Sequence, residues 1–307
     1  MPRIRYLLPP FDRPFGGVAT IHRHVDWLTA HGFDAAIAMT APPPRDFYGA
    51  GARVEYDFQA QDGDRLVAPE GALVLLAPHA SAAARRLMFC QNQYYLPFGP
   101  DPARGIGEFG VDRVFGSSVA VRDFFRDVYA LDVPIVPYSI DPAAYAPAPK
   151  SRSILLMPRK RGDLAVFLHH AFKRRHARLA DIPWLSVDGA GVAEAAAAMA
   201  RAQWFLSLSH RESFGLPPLE AMACGTVPVG FMGDGGREYM NDANGFWAPE
   251  EDWLACVDAL ARAIDMVDRD PPATSALRAA GTATVARYSP DVARAALLAF
   301  WRDELAA

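Results

Sequence analysis

The chain has 307 residues, of which 51% are hydrophobic, and its 31 lysines and arginines against 35 aspartates and glutamates give a net charge of −4. This length suits two domains of about 150 residues each, and the acidic balance argues against a general nucleic-acid binder. The sequence has no run of 18 apolar residues, so we expect no membrane span. Its three cysteines are far apart and lack metal-ligand spacing, which predicts buried thiols in a reducing, cytoplasmic setting.

The first elements predict a βαβ unit. Residues 4–8 and 33–39 are short apolar runs, and Gly16-Gly17 opens a stretch between them with apolar residues at helical spacing. A strand, a glycine turn, a helix and a strand in this order predict a parallel sheet. Two glycines at a helix start let the backbone approach a phosphate closely, although a simple tight turn explains them equally well. The apolar residues before Pro9 are too few for a secretion signal.

Three further strands are predicted at residues 53–58, 72–76 and 86–91, the middle one fully buried. Gln91, Asn92 and Tyr94 follow the last of them. Amide and phenol groups can bind sugar hydroxyls, but an ordinary polar loop is an equally good interpretation. The patterns Asp-x-Asp at 62–64 and 268–270 lie in turn-like surroundings, and because such patterns arise easily by chance we predict no metal site at either.

A domain boundary is predicted near residue 145. Residues 113–125 have the pattern of a strand, a turn capped by Ser118 and a helix. Residues 135–149 are then rich in proline and turn formers, as expected for a linker and hinge. We therefore assign residues 1–145, together with a final helix at 290–307, to a first Rossmann-like domain, and residues 146–289 to a second.

The second domain opens with a strand at residues 153–157, which is followed by Arg159 and Lys160. Cations at the carboxyl end of a strand are placed for a ligand at the sheet edge and can neutralise a diphosphate, although a solvated basic turn is the alternative. The basic cluster at residues 173–176 is predicted to be a solvated helix face. A contact with anionic lipid, and hence a peripheral position at the inner face of the membrane, is the minor alternative.

The stretch from Ser209 to Gly225 organises the second domain. It separates two apolar runs of strand length, and its two prolines, Pro217 and Pro218, suit the first positions of a helix. Gly225 suits the position just after that helix. The predicted order is therefore a strand, a glycine-bearing loop, a short helix and a strand.

This order has a chemical use. The N–H groups of residues 214–216 are predicted to lie at a helix start, where amides have no acceptor within the helix and the helix dipole also favours an anion. Glu212 and Glu220 flank them, and a carboxylate accepts hydrogen bonds only, which suits the vicinal hydroxyls of a ribose or a sugar. The pattern predicts a site for a nucleotide diphosphate sugar. An isolated pair of acids with this spacing would more often be a first-turn acid and a solvated loop acid.

The segment Glu212-Ser-Phe-Gly-Leu-Pro-Pro-Leu-Glu220 resembles the nucleotide-binding core of retaining glycosyltransferases of the GT4 type, which have the GT-B fold. The resemblance extends through Gly235-Gly236-Arg237-Glu238-Tyr239 to residues 244–247, about forty residues in all. It implies two Rossmann-like α/β domains that face a central cleft. It also implies a C-terminal helix that crosses back onto the first domain, for which we expect contacts from Val292, Ala296, Leu297, Phe300 and Trp301.

The resemblance also implies roles for residues. Glu220 would hold the ribose, Glu212 would act at the reacting carbon, and Arg159 with Lys160 would stabilise the leaving diphosphate. Other donor contacts would come from Gly16, Gly17, Ser213, Phe214, Gly215, Leu216, Leu219 and Gly189. Related enzymes often have a histidine near the acceptor, where this chain reads Cys90-Gln91-Asn92. Gln91, Asn92 and Tyr94 are therefore the acceptor-side candidates, and no side-chain base is assigned.

The implied reaction transfers a sugar from a nucleotide diphosphate sugar to a glycan, polysaccharide or lipid-linked saccharide with retention of anomeric configuration. Neither a cofactor nor a metal ion is expected, because cationic side chains would stabilise the diphosphate. Two alternatives stay open. A nucleotide-sugar epimerase would need titratable groups placed for proton abstraction, and no convincing pair is visible. A non-catalytic nucleotide-sugar-binding protein would carry the same binding motif.

Overall fold

The computed structural model describes residues 2–12, 15–44, 46–48, 51–96, 106–158 and 161–306. The chain divides into two compact units, residues 1–138 with 291–307 and residues 139–290. The chain first passes from one unit to the other after Tyr138, whereas the predicted boundary was at residue 145. The prolines and turns of residues 139–149 belong to the second unit.

Unit 1 is built around a parallel sheet of six strands in the order β3-β2-β1-β4-β5-β6. Strand β1 and helix α1 come first, and the neighbouring strands β2 and β4 lie on either side of β1. Its elements are β1 (Ile4–Leu8), α1 (Gly16–Ala30), β2 (Ala35–Met39), β3 (Val54–Tyr56), β4 (Arg65–Pro69), 3-10 segments at Glu70–His79, Gln93–Tyr95 and Ile106–Phe109, β5 (Arg85–Cys90), β6 (Arg113–Gly116) and α2 (Val119–Tyr129).

The last helix of the chain completes unit 1. Residues Pro290–Ala306 form a helix (α9 in the order of the whole chain) whose Leu297, Phe300 and Trp301 are buried in the core beside β1 and β6. Trp301 donates a hydrogen bond to the Tyr6 hydroxyl at 3.2 Å. The prediction that this helix returns to the first domain is confirmed. Val292, another expected contact, is exposed.

Unit 2 has a parallel sheet of five strands in the order β11-β10-β9-β7-β8. Its first strand, β7, lies between β8 and β9, so the strand order reverses there. Its elements are β7 (Ser151–Leu156), α3 (Gly162–Arg175), a 3-10 segment at Ala177–Leu179, β8 (Trp184–Ser186), α4 (Val192–Arg201), β9 (Ala202–Ser209), α5 (Leu216–Ala223), β10 (Val227–Met232), α6 (Gly233–Gly236), β11 (Phe246–Ala248), α7 (Trp253–Arg269) and α8 (Pro271–Ala286).

Both units are parallel-sheet α/β units of the Rossmann type, as predicted. The strand predicted at residues 72–76 is wrong: these residues belong to the 3-10 segment Glu70–His79, and the strand of this region is β4. Val74 is exposed while Leu73 and Leu76 are buried, so the apolar run follows a helical surface rather than a buried strand. An apolar run alone does not distinguish these structures.

No helix among the described residues is both long enough and apolar enough to span a bilayer.

Candidate functional site

The turn between β9 and α5 lies beside the point where the strand order of unit 2 reverses. In sheets of this kind, ligands bind beyond the carboxyl ends of the strands at that point. Ser209 ends β9, and Gly215 precedes the first helical residue, Leu216, with φ of +81°. A side chain at position 215 would be strained in this left-handed conformation, so glycine suits it. The predicted order of strand, glycine loop and helix is confirmed.

Packed aromatic side chains support the turn between β9 and α5. The Phe214 ring is buried and lies 5.1 Å from the ring centroids of both Tyr239 and Tyr288. The Tyr239 hydroxyl donates a hydrogen bond to the Gly215 carbonyl. The Tyr288 hydroxyl donates to Glu238 Oε1 at 3.0 Å. The main chain at the helix start is therefore held by packed rings and hydrogen bonds.

A second glycine segment, α6, packs directly on the turn. The amide of Gly235 donates to the Glu212 carbonyl at 2.8 Å. A Cβ atom at Gly235 would lie only 2.0 Å from the carbonyl carbon and oxygen of Ser213 and 2.1 Å from the Phe214 nitrogen. Gly235 is therefore required for close backbone contact, which the sequence pattern contained but did not explain.

The helix start offers fewer amide donors than an ordinary helix, because Pro217 and Pro218 have no N–H. Within the described part of the chain, no residue accepts a hydrogen bond from the amides of Gly215 or Leu216. Together with the positive end of the helix dipole, these two amides can bind an anion. The side chains of Ser213, Phe214 and Leu219 are buried, so these three residues can reach a ligand at the turn mainly through their main chain.

Glu212 and Glu220 are both half-buried and lie at the two ends of the motif. Oε1 of Glu220 accepts a hydrogen bond of 2.8 Å from the Tyr145 hydroxyl. Tyr145 was missed by sequence reasoning, since it stands 75 residues before Glu220 in a proline-rich segment. Gly189, a predicted donor contact, has φ of +69°, which glycine adopts without strain, and an added Cβ there would have no atom within 4 Å.

The cations predicted after β7, Arg159 and Lys160, lie outside the described residues. The next residue, Arg161, donates two hydrogen bonds to the Glu251 carboxylate, at 2.7 and 2.8 Å, and lies over the Phe231 ring at 5.5 Å. Its charge is thereby balanced. Nδ1 of His210 lies 2.7 Å from Oε1 of Glu250, the neighbour of Glu251.

Three carboxylate or imidazole groups, on His210, Glu250 and Glu251, lie within 4.8 Å of one another. Arg161 is part of the same cluster, so the acids already have cationic partners and the arrangement is an ion-pair network. The two Asp-x-Asp patterns also have structural partners. Asp64 binds Arg3 at 2.7 Å, and Asp270 caps helix α8.

In unit 1, Gly16-Gly17 opens helix α1 directly after the loop that follows β1. The Tyr48 hydroxyl holds the preceding residue, Phe15, by accepting from its amide at 2.6 Å and donating to its carbonyl at 2.9 Å. A Cβ at Gly17 would lie 3.0 Å from Nε2 of Gln91. Two predicted site elements, the glycine turn and Gln91, are thus brought together.

A buried acid fixes the acceptor-side segment. Glu70, the residue after β4, accepts hydrogen bonds from the amides of Gln91 at 3.0 Å and Asn92 at 2.9 Å. Burial raises the pKa of Glu70 to about 7 despite these hydrogen bonds. Gln91 and Asn92 are buried, whereas Tyr94 is exposed. Sequence reasoning missed Glu70, although a lone acid at the carboxyl end of an apolar strand was a visible signal.

Residues 191–281 match the family model described as "Glycosyl transferases group 1". This segment covers helix α4 through most of α8, including the turn between β9 and α5. The chain is 25% identical over 257 residues to an alpha-1,6-glucosyltransferase of Actinobacillus pleuropneumoniae, covering 79% of this chain and 77% of that protein. It is 42% identical over 59 residues to a putative glycosyltransferase of a Sulfolobus islandicus filamentous virus, covering 19% of this chain and 17% of that protein.

Solved structures with a similar fold include sucrose-phosphate synthase from Thermosynechococcus elongatus, with a TM-score of 0.75, 15% identity and full coverage of both chains. HepE of Anabaena, solved with UDP and glucose, has a TM-score of 0.70 and 15% identity over 99% of this chain and 100% of that one. Likeness at this identity establishes the fold, which is GT-B. Together with the family segment and the curated relative, it supports a glycosyltransferase.

Proposed function

We propose that the protein transfers a sugar from a nucleotide diphosphate sugar to a hydroxyl group of a glycan, polysaccharide or lipid-linked saccharide, with retention of anomeric configuration. The observation that carries the proposal is the turn between β9 and α5. It offers the amides of Gly215 and Leu216 at a positive helix end, with Glu212 and Glu220 on either side. This turn lies inside the segment that matches the glycosyl transferase model, and HepE, with a similar fold, was solved with UDP-glucose.

In the proposed complex, the two amides bind the diphosphate and Glu220 accepts hydrogen bonds from the ribose hydroxyls. Glu212 accepts hydrogen bonds from the transferred sugar near its reacting carbon. Arg159 and Lys160, which follow β7, stabilise the charge that develops as the diphosphate leaves. A preorganised contact to a developing charge contributes on the order of 10²–10³ in rate. Arg161 is not given this role, because Glu251 already neutralises it.

The proposed acceptor side is unit 1, where Gln91, Asn92 and Tyr94 follow β5. Gly16 and Gly17, at the start of α1, provide a second close backbone approach to the donor diphosphate. The bond between the anomeric carbon and the diphosphate breaks, and a new bond to the acceptor oxygen forms on the same face. The leaving phosphate oxygen takes the acceptor proton, so neither a side-chain base nor a metal ion is needed in this scheme.

We also propose that the protein works in the cytoplasm, with the exposed face of α3 available for peripheral contact with anionic lipid. Lys173 and Arg174 are exposed on this helix, while Arg175 pairs with Asp258 at 2.7 Å. Two exposed cations give a weak attraction of about 1 kcal/mol each near an anionic surface. Sedimentation with vesicles of phosphatidylglycerol and phosphatidylcholine tests this contact, and no sedimentation at low salt would contradict it.

The main test combines binding with turnover. Nucleoside diphosphates (UDP, GDP, ADP and TDP) and their sugar conjugates are screened by thermal shift, because a ligand of the folded state raises the melting temperature. We expect Glu220→Ala to weaken nucleotide binding severely, and Glu212→Gln to preserve binding but stop sugar transfer and donor hydrolysis. Glu194→Gln is the matched control, since Glu194 is an exposed acid in the first turn of α4.

Two outcomes would contradict the proposal. If no nucleotide shifts the melting temperature, the turn between β9 and α5 is not a nucleotide site. If nucleotide sugars bind but neither transfer nor hydrolysis occurs with any acceptor, the protein binds nucleotide sugars without catalysis. Proton–deuterium exchange at a sugar carbon would instead identify an epimerase.

A further inference from the structure

The segment that enters unit 2, residues 139–150, is packed along helix α5. The Tyr145 ring lies against a buried cluster that includes Leu155, Phe205 and Ala221. The Tyr145 amide donates to the Asp141 carbonyl at 3.0 Å, closing a turn. The core therefore restricts the ring of Tyr145, and the turn restricts its backbone.

Lys150 fastens the end of the same segment to the far end of α5. Its ammonium group donates to the carbonyls of Ala200 at 2.7 Å and Cys224 at 2.8 Å, and to the Thr226 hydroxyl at 2.6 Å. A cation that binds carbonyls at a helix C-terminus is favoured by the helix dipole as well. Helix α5 and residues 145–150 thus form one rigid piece within unit 2.

The Tyr145 hydroxyl reaches the middle of α5 and donates to Oε1 of Glu220 at 2.8 Å. A glutamate side chain has three rotatable bonds, and fixing them costs conformational entropy when a ligand binds. The carboxylate group is planar and rigid. A donor that holds one of its oxygens therefore also restricts the position of the other. The second oxygen, Oε2, then has a defined direction before any ligand arrives.

We propose that Tyr145 is a positioning residue for the nucleotide donor, which orients the Glu220 carboxylate so that it can accept hydrogen bonds from a ribose diol. This inference rests on the proposed function, in which Glu220 binds the ribose. In this proposal the tyrosine affects nucleotide binding through Glu220 and does not bind the diphosphate. Its effect is therefore specific to ligands that carry ribose hydroxyls.

The test measures dissociation constants by calorimetry for wild-type protein and Tyr145→Phe, a change that removes one hydroxyl and keeps the ring. The probes are the nucleoside diphosphate that binds the wild type most tightly and its 2′,3′-dideoxy form. We expect Tyr145→Phe to weaken binding of the first probe roughly tenfold, in line with one lost charge-assisted hydrogen bond. We expect binding of the dideoxy probe to be unchanged, which also shows that the variant is folded.

A double-mutant cycle with Glu220→Ala, which removes the acceptor of the Tyr145 hydroxyl, shows whether the tyrosine acts through the glutamate. The double variant should then bind the first probe no more weakly than Glu220→Ala alone. Tyr129→Phe is the matched control, because the Tyr129 ring packs on Phe124 and Phe125 in unit 1. It should bind both probes like the wild type.

Two results would overturn the inference while leaving the proposed function intact. One is a Tyr145→Phe protein that binds the ribose probe as tightly as the wild type. The other is an equal loss for both probes, which would show that Tyr145 only supports the fold of α5. A wild-type protein that binds no nucleoside diphosphate would instead overturn the proposed function, and this inference with it.

Discussion

Each unit begins a helix with glycine after a parallel strand, but the two helix starts are held in different ways. In unit 2, the backbone of α6 packs on the turn, and Tyr239 reaches Gly215 from 24 residues away. In unit 1, the supports are side chains from more distant parts of the chain: Tyr48 binds Phe15 from 33 residues away, and the flexible end of Gln91 lies beside Gly17.

This difference separates a rigid site from an adjustable one. Backbone packed on backbone cannot move without disturbing two elements, so the turn between β9 and α5 is preorganised for an anion of fixed shape. A side-chain amide can rotate, so the start of α1 can adapt to what binds beside it. Unit 1 also depends on α9, which comes from the opposite end of the chain, while unit 2 is continuous.

We expect the largest loss of stability when the ion pairs that attach α9 to the rest of unit 1 are broken. Glu304 on α9 is fully buried and forms ion pairs with Arg85 at 2.9 Å and Arg113 at 2.8 Å. Glu304→Ala leaves these cations without their buried partner and should destabilise unit 1 by about 3–5 kcal/mol. Hydrogen exchange should show loss of protection in α9 and β6 and little change in unit 2.

Asp303→Ala is the control for this prediction, because Asp303 is exposed and pairs with the same Arg113 at 2.9 Å. An exposed ion pair contributes less than about 1 kcal/mol. Equal effects of the two substitutions, or a loss of protection spread over both units, would show that the buried ion pairs of Glu304 do not specifically stabilise unit 1.

The rigid turn of unit 2 should be disrupted by one methyl group. In Gly235→Ala the new Cβ would meet the backbone of Ser213 and Phe214 at 2.0–2.1 Å, and backbone cannot rotate away. We expect a destabilisation of about 3 kcal/mol, at the upper end for overpacking, and loss of nucleotide binding. Urea unfolding and calorimetry measure both. Gly107→Ala is the control, since its Cβ would have open space; a Gly235→Ala protein as stable as this control would contradict the backbone contact.

The buried acid of unit 1 should make stability depend on pH. The pKa of Glu70 is raised from its ordinary value of 4.5 to about 7 in the folded protein. As the pH rises, the unfolded chain therefore releases the Glu70 proton at a lower pH than the folded protein does. The contribution of Glu70 to stability is lost as the pH rises through 7. Between pH 5 and pH 7 the loss should be about 2 kcal/mol.

Glutamine at position 70 does not titrate. The difference in the free energy of unfolding between the wild type and Glu70→Gln therefore isolates the contribution of Glu70 from those of other titratable groups. His24 is one such group: burial lowers its pKa to about 3, and its contribution is lost in the opposite direction, as pH falls. Urea unfolding at several pH values measures the difference. A wild-type and a Glu70→Gln protein with parallel pH profiles would contradict the assignment.

The smallest effect is expected at the adjustable helix start. In Gly17→Ala the new Cβ would lie 3.0–3.3 Å from the end of the Gln91 side chain, which can rotate away. Stability should therefore change by less than about 1 kcal/mol, while sugar transfer falls because Gln91 is displaced from the acceptor side. A Gly17→Ala protein as unstable as Gly235→Ala would remove the distinction between the two turns.

Much of this fold was predictable because its signals are local. The glycines and apolar spacing placed the start of α1, the final helix predicted at 290–307 agrees with α9, and the glycine, proline and glutamate pattern of residues 212–225 placed the turn and helix α5. The exception was residues 72–76, where an apolar run of strand length folds as a 3-10 segment. Nothing local separates these two outcomes, because each buries part of the run.

The partners of the candidate site were not predictable in the same way. Tyr145, Glu70 and Tyr48 reach their partners across 75, 21 and 33 residues, and nothing in the sequence near Glu220, Gln91 or Phe15 indicates which side chain arrives. The backbone conformation that exposes the amides at Gly215 depends on the residues of the turn itself and can be predicted from them. The orientation of a side chain in the site depends on the distant segment that packs against it and cannot be predicted from nearby residues.

Local sequence features were sufficient to predict the two parallel-sheet units, the glycine turn that starts α5 and the two glutamates beside it, because backbone conformation and apolar spacing depend on neighbouring residues. The contacts of Tyr145 with Glu220, of Glu70 with the amides after β5 and of Glu304 with Arg85 and Arg113 became visible only in the folded protein. These contacts join residues far apart in the chain, and their geometry exists only once the sheets have packed.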